Sequence, residues 1–81
     1  MTETSIPLGK YRHYKESTHL YEVIGFARHS ETHEEMVIYK AHYHSEQFGS
    51  QCVWVRPRAM FLEDVEYNGM TVPRFQFVES A

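Results

Sequence analysis

Cysteine is nearly absent: the 81-residue chain has one, Cys52. No intrachain disulfide can form, so nothing points to an oxidising compartment. Long apolar runs are missing too. The longest, Met36 to Tyr39 and Cys52 to Val55, are far too short to cross a bilayer. The N-terminus lacks the basic start and apolar core of a secretory leader. There is no P-loop, no Rossmann fingerprint and no G-x-S-x-G elbow. Basic residues are in deficit, with 8 Lys and Arg against 11 Asp and Glu, a net charge of −3 and a pI near 6.0. That balance is not the globally basic signature of a nucleic-acid binder. A cytosolic protein without membrane association is the expectation.

What the chain does have is aromatic residues, at 15% of the sequence, almost all Tyr or Phe. That usage suits strands more than helices. The length fits one domain, expected over 9–78 between loose tails at 1–8 and 79–81. A chain this short buries only about 60–65% of its unfolded surface. A site is therefore expected in a surface groove, a barrel mouth or a subunit interface.

Strands are expected at Gly9–Tyr14, Leu20–Ala27 and Cys52–Arg56, separated by polar turns at Lys15–Thr18 and Ser45–Gln51. Gly25 and Ala27 suggest a bend or the close approach of another backbone. The segment after Thr32 is ambiguous. Thr32 with Glu35 has the capping-box spacing of a helix start. Against it, Val37, Tyr39, Ala41 and Tyr43 alternate with Ile38, Lys40, His42 and His44. Period two with β-branched and aromatic residues favours a strand. Pro57 ends the next strand and suits the first position of a helical turn over Pro57–Phe61. Asn68-Gly69 between hydrophobic runs is a strong hairpin signal, and Pro73 places its segment at an edge or bulge. The fold class read from this pattern is all-β, a small barrel or sandwich of about six short strands with one short helical turn.

Four constellations could carry chemistry. The first is the donor-rich loop of Arg28, His29, Ser30 and Thr32, which interrupts two hydrophobic runs. A planar guanidinium with hydroxyls and loop amides can cradle an anion. The plainer reading is a loop satisfying itself, with Ser and Thr capping their own backbone and Arg28 paired to Glu31 or Glu34. The second is histidine spacing. His42 and His44 share a strand face and can present two imidazoles to one metal, whereas His29 and His33 do so only on a helix. Without a Cys pair, exposed histidines are the plainer reading. Protonating all six would move the net charge from −3 to +3, so mild acid should strengthen anion binding.

The third interleaves rings and cations: Tyr11, Arg12, Tyr14 and Lys15, then Trp54, Arg56 and Arg58. Such a set can stack bases and hold phosphates or cage a cation, or Tyr11 and Trp54 can simply fill the core. Locally, Gly9 to His29 carries Lys10, Arg12, Lys15 and Arg28 against Glu16 and Glu22, a net +2. The fourth is nucleophilic: Cys52 with a histidine, or Ser30 with a histidine and Asp64. Such sets arise by chance at this composition, and geometry decides them.

Several segments together resemble a known family: Tyr11-Arg12-His13-Tyr14-Lys15, Tyr21-Glu22-Val23, Ala27 to Thr32, Trp54-Val55-Arg56-Pro57, Met60-Phe61 and Pro73-Arg74-Phe75. The chain is similar to the small bacterial family known as the domain of unknown function numbered sixteen fifty-three. The resemblance implies an SH3-like β-barrel, and it implies no activity. The expected function is a non-catalytic binding module for a small anionic ligand, a peptide or single-stranded nucleic acid. Its expected site comprises Arg28, His29, Ser30, Thr32, Arg56, Tyr14, His13 and Trp54. No cofactor is expected, and the chain is expected to be a monomer or weak dimer. One alternative is a small hydrolase or metal-dependent enzyme using His29 with Ser30 or Cys52. Another is an interaction or oligomerisation domain using the edge around Pro73.

Overall fold

The structure, a computed structural model, describes residues 6–15 and 19–80. Much of the expected 1–8 tail, most of the Lys15–Thr18 turn and the last residue lie outside them. In chain order the elements are β1 Gly9–His13, β2 Leu20–Arg28, β3 Glu35–Ala41, β4 His44–Ser45, β5 Gly49–Ser50, β6 Val53–Pro57, α1 Arg58–Phe61, β7 Asp64–Tyr67, β8 Met70–Pro73 and β9 Phe75–Ser80. The segment after Thr32 is a strand. Val37, Tyr39 and Ala41 are buried, and Ile38 and Lys40 between them are half-exposed.

Five strands form one antiparallel sheet in the order β6-β3-β2-β1-β9. The expected SH3-like barrel is not what forms. Closure would require β6 to bond to β9, and the sheet ends at these two strands. The reason lies in what the chain does between them. After β6 it makes the single turn of α1, then spends β7 and β8 on a hairpin of their own, and returns only to pair with β1. Residues of the two end strands meet through a side-chain contact, the Arg56 guanidinium lying 5.6 Å from the Phe75 ring centre. The polar stretch expected to be a plain loop holds a further two-stranded pair, β4 with β5.

Gly25 marks a bend. The β2–β3 register shifts between Val23 and Gly25, and a Cβ at Gly25 would meet nothing within 4 Å, so the space a side chain would enter is open. The β7–β8 turn has Asn68 at φ 53° and Gly69 at φ 76°. This is the left-handed pair that a type I′ hairpin requires and that Asn-Gly tolerates.

One face of the sheet is the core. Ile6, Tyr11, Val23, Val37, Tyr39, Phe61 and Phe75 are buried together, with Tyr21 and Trp54 packed against them. Phe61 is carried by α1. It stacks on Phe75 at 4.5 Å with the planes 4° apart, and Tyr11 meets its edge at 5.3 Å. The Tyr11 hydroxyl donates to the Pro7 carbonyl at 2.7 Å, which ties the first described residues to the sheet. No helix of the described residues is long and apolar enough to cross a membrane.

Candidate functional site

The register places rings side by side on the core face. Tyr11 lies opposite Tyr21, Tyr39 opposite Trp54, Val37 opposite Arg56, and His13 opposite Phe75. Directly opposed residues of an antiparallel pair share a face. Toward the ends of these strands the core stops filling and a cavity of about 190 Å³ remains. It is lined by His13, Tyr21, Tyr39, Tyr43, Trp54, Arg56 and Phe75. Six of the seven are ring-bearing and the seventh is cationic.

The rings hold one another. Tyr21 meets the edges of Tyr39, Tyr43 and Phe75 at 5.5, 5.6 and 5.7 Å. The Tyr21 and Tyr43 hydroxyls are hydrogen-bonded at 2.8 Å, and His19 stacks on Tyr43 at 4.0 Å. Burial first, and then the Tyr43 bond, push the Tyr21 phenol above its ordinary value of 10.0. The Tyr21 hydroxyl therefore remains a neutral hydrogen-bonding group at physiological pH. Arg56 Nε donates to the Tyr39 hydroxyl at 3.4 Å. Its Nη groups have no hydrogen-bond partner among the described residues, and no described carboxylate pairs with it. The cavity thus offers flat apolar walls, phenolic hydroxyls and one guanidinium whose Nη donors have no partner among the described residues.

Of the residues expected from the sequence, the cavity brings together His13, Trp54 and Arg56. Tyr14 lines a neighbouring cleft of about 380 Å³ to which His13 also contributes. Arg28, His29, Ser30 and Thr32 are all exposed and line neither space. Their loop closes on itself. Arg28 Nη1 donates to the His33 carbonyl at 2.8 Å. His29 Nδ1 accepts from the Glu31 and Thr32 amides at 3.1 and 3.4 Å. Thr32 Oγ1 accepts from the Glu34 amide at 3.2 Å. Tyr21, Tyr39, Tyr43 and Phe75 were missing from the expected set because aromatic residues on a strand read as core. The signal that could have found them is that Tyr39 and Tyr43 share a face with Val37.

The catalytic pairs do not assemble. His29 Nδ1 is committed to backbone amides rather than to the Ser30 hydroxyl. Among the described residues the half-buried Cys52 thiol bonds the Val53 carbonyl, at 3.8 Å, and no histidine. His42 bonds Glu22 at 2.8 Å and His44 bonds Ser50 at 3.0 Å, so these imidazoles do not converge. Among the described residues no three His, Cys, Asp or Glu side chains form a group able to hold a metal.

The fold and cavity define a small β domain with an open five-stranded sheet and an aromatic cleft bearing one arginine without a carboxylate partner among the described residues. The chain belongs to the family described as protein of unknown function, DUF1653, whose model matches residues 9–77. It is similar to the crystal structure of a DUF1653 protein from Bordetella bronchiseptica, with 30% identity, a TM-score of 0.81, and coverage of 95% of this chain and 92% of that one. None of the curated proteins matches it. The family resemblance in the sequence therefore holds, while the closed barrel it implied does not.

Proposed function

We propose that the domain is a non-catalytic binding module that takes a small planar group carrying a negative charge. The observation that supports this reading is Arg56: a guanidinium with free Nη donors, set among rings that line the same cavity. Arg presents its donors as a planar fork suited to carboxylate or phosphate. A cationic guest is disfavoured, because Arg56 already lies over the Phe75 face and no described carboxylate lines the space. The cavity is smaller than the roughly 300–1,000 Å³ of ordinary ligand pockets, so one ring-sized group enters rather than a large metabolite. The half-buried, unpaired Cys52 suits the reducing cytosol.

The test is an NMR titration with uridine monophosphate and with benzoate. Saturable shifts of the Trp54 indole N–H in the wild type, lost in Arg56→Met, are expected. No shift with either probe overturns the reading.

A second reading, self-association, is favoured by β6. This edge strand exposes Val53 and Val55 at 55% and 57%, and exposed apolar edges are pairing surfaces. Sedimentation showing a dimer that Val55→Lys dissociates would support it.

A further inference from the structure

The aromatic cavity has a neighbour, and one side chain belongs to both. His13 lines the Arg56 cavity and also the 380 Å³ cleft that contains Arg12, Tyr14, Tyr67 and Gln76. Ring contacts run without a break between the two. Tyr67 meets Tyr14 edge-on at 5.4 Å. Tyr14 lies 4.8 Å from His13, and His13 meets Phe75 at 5.3 Å.

The cations are distributed in the same way. Arg58 and Arg74 are paired to Glu35 and Glu63, and Arg28 is tied into its own loop. Arg12 and Arg56 have no carboxylate partner among the described residues. Each lines one of the two spaces. Arg12 Nε, like Arg74 Nε, is buried without a hydrogen-bond partner, and an unmet buried donor is a position that calls for a ligand or a bound water; of the two, only Arg12 also lacks a carboxylate partner among the described residues. Lys15 adds a cation 6.0 Å from the Tyr14 ring centre.

From this arrangement we infer that the two spaces form one groove for single-stranded nucleic acid. One base lies against the Trp54 and Tyr43 walls, the adjacent base lies against Tyr14 and Tyr67, and the backbone crosses His13, with one phosphate at Arg56 and the next at Arg12. This inference rests on the proposed planar-anion site and extends it to a polymer. Stacking platforms flanked by cations are how sequence-tolerant single-strand binders work. An acidic peptide has the charge but not the repeated flat faces, and a single small metabolite leaves the second ringed space unused. The net charge of −3 confines attraction to these few cations, so the salt dependence should be shallow. Neutralising about two phosphates gives a slope of roughly −1.4 in log K against log salt, from about −0.7 per phosphate on a single strand.

The experiment compares uridine monophosphate, a uridine pentanucleotide and hexaglutamate on the wild type, Arg12→Met and Tyr67→Leu, at several salt concentrations. Binding is read by Trp54 fluorescence and by anisotropy of labelled oligomers. The expected result has three parts. The pentanucleotide binds at least about tenfold tighter than the monophosphate, as one more stacked base would give. Arg12→Met halves the salt slope to about −0.7. Both variants lose the pentanucleotide's advantage while binding the monophosphate as the wild type does. Monophosphate binding with no gain for the pentanucleotide overturns the groove and leaves the planar-anion site standing. Hexaglutamate binding that depends on Arg12, without pentanucleotide binding, also overturns it. Failure of every probe, benzoate included, removes both proposals.

Discussion

Phe61 is the buried residue of α1, and removing its ring should cost the domain much of its stability. The helix is one turn, Arg58–Phe61, and Pro57 at its N-cap provides no side-chain hydrogen bond. A helix this short has no stability of its own. Phe61 is 2% exposed and is stacked on Phe75 and edge-on to Tyr11. Truncating a buried Phe to Ala costs about 3–5 kcal/mol. An 81-residue domain is stable by about 4–12 kcal/mol, at roughly 0.05–0.15 kcal/mol per residue. Phe61→Ala should therefore remove between about a quarter and all of it. Urea unfolding followed by Trp54, the one tryptophan, reads this directly. With a slope of about 1.5 kcal/mol per molar, within the usual range, a loss of about 4 kcal/mol moves the midpoint down by nearly 3 M. Met60→Ala is the control: Met60 sits in the same turn but is 47% exposed, and its midpoint should move by less than about 0.5 kcal/mol equivalent. A Phe61→Ala loss below about 1.5 kcal/mol, or equal losses for the two variants, would refute the ring-stacked core.

Two further predictions concern the site and its surroundings. The phenol of Tyr21 is held above its ordinary value, chiefly by burial, and that of Tyr11 is raised by burial alone. The unfolded chain thus loses these protons first as pH rises. Their contribution is complete below about pH 10 and is lost above it, so melting temperatures measured from pH 8 to 11 should fall above pH 10, less steeply in Tyr21→Phe. Arg28→Ala breaks an exposed bond to the His33 carbonyl. It should lower stability by no more than about 1 kcal/mol, measured by urea titration, and leave the Trp54 response to uridine monophosphate unchanged.

Local structure was legible wherever a local rule operates. The alternation of Val37, Tyr39 and Ala41 outweighed the Thr32–Glu35 capping pattern. Asn68-Gly69 marked its hairpin and Pro57 its helical turn. The arrangement of strands was not legible in the same way. Whether β6 meets β9 depends on pairing between segments distant in sequence, and no local pattern encodes it. The short β4–β5 pair hid in a polar stretch whose side chains resemble those of any loop.

The site divided along the same line. Arg56 and His13 stood out as a cation and an imidazole near strand ends, and Trp54 as a flat ring interleaved with arginines. Their tyrosine neighbours did not, since a core tyrosine and a cavity tyrosine have the same local signature. The Arg28 loop drew attention through its count of donors. Its acceptors, the His33 carbonyl and His29 Nδ1, are local too, but only the fold shows them engaged.

The central claim is that a planar anion enters beside Arg56. Its most direct test is an intermolecular NOE experiment on the wild type saturated with uridine monophosphate. NOEs from the base protons to the rings of Trp54 and Tyr21 are the predicted result. NOEs to the Arg28–Thr32 loop, with none to those rings, would contradict it.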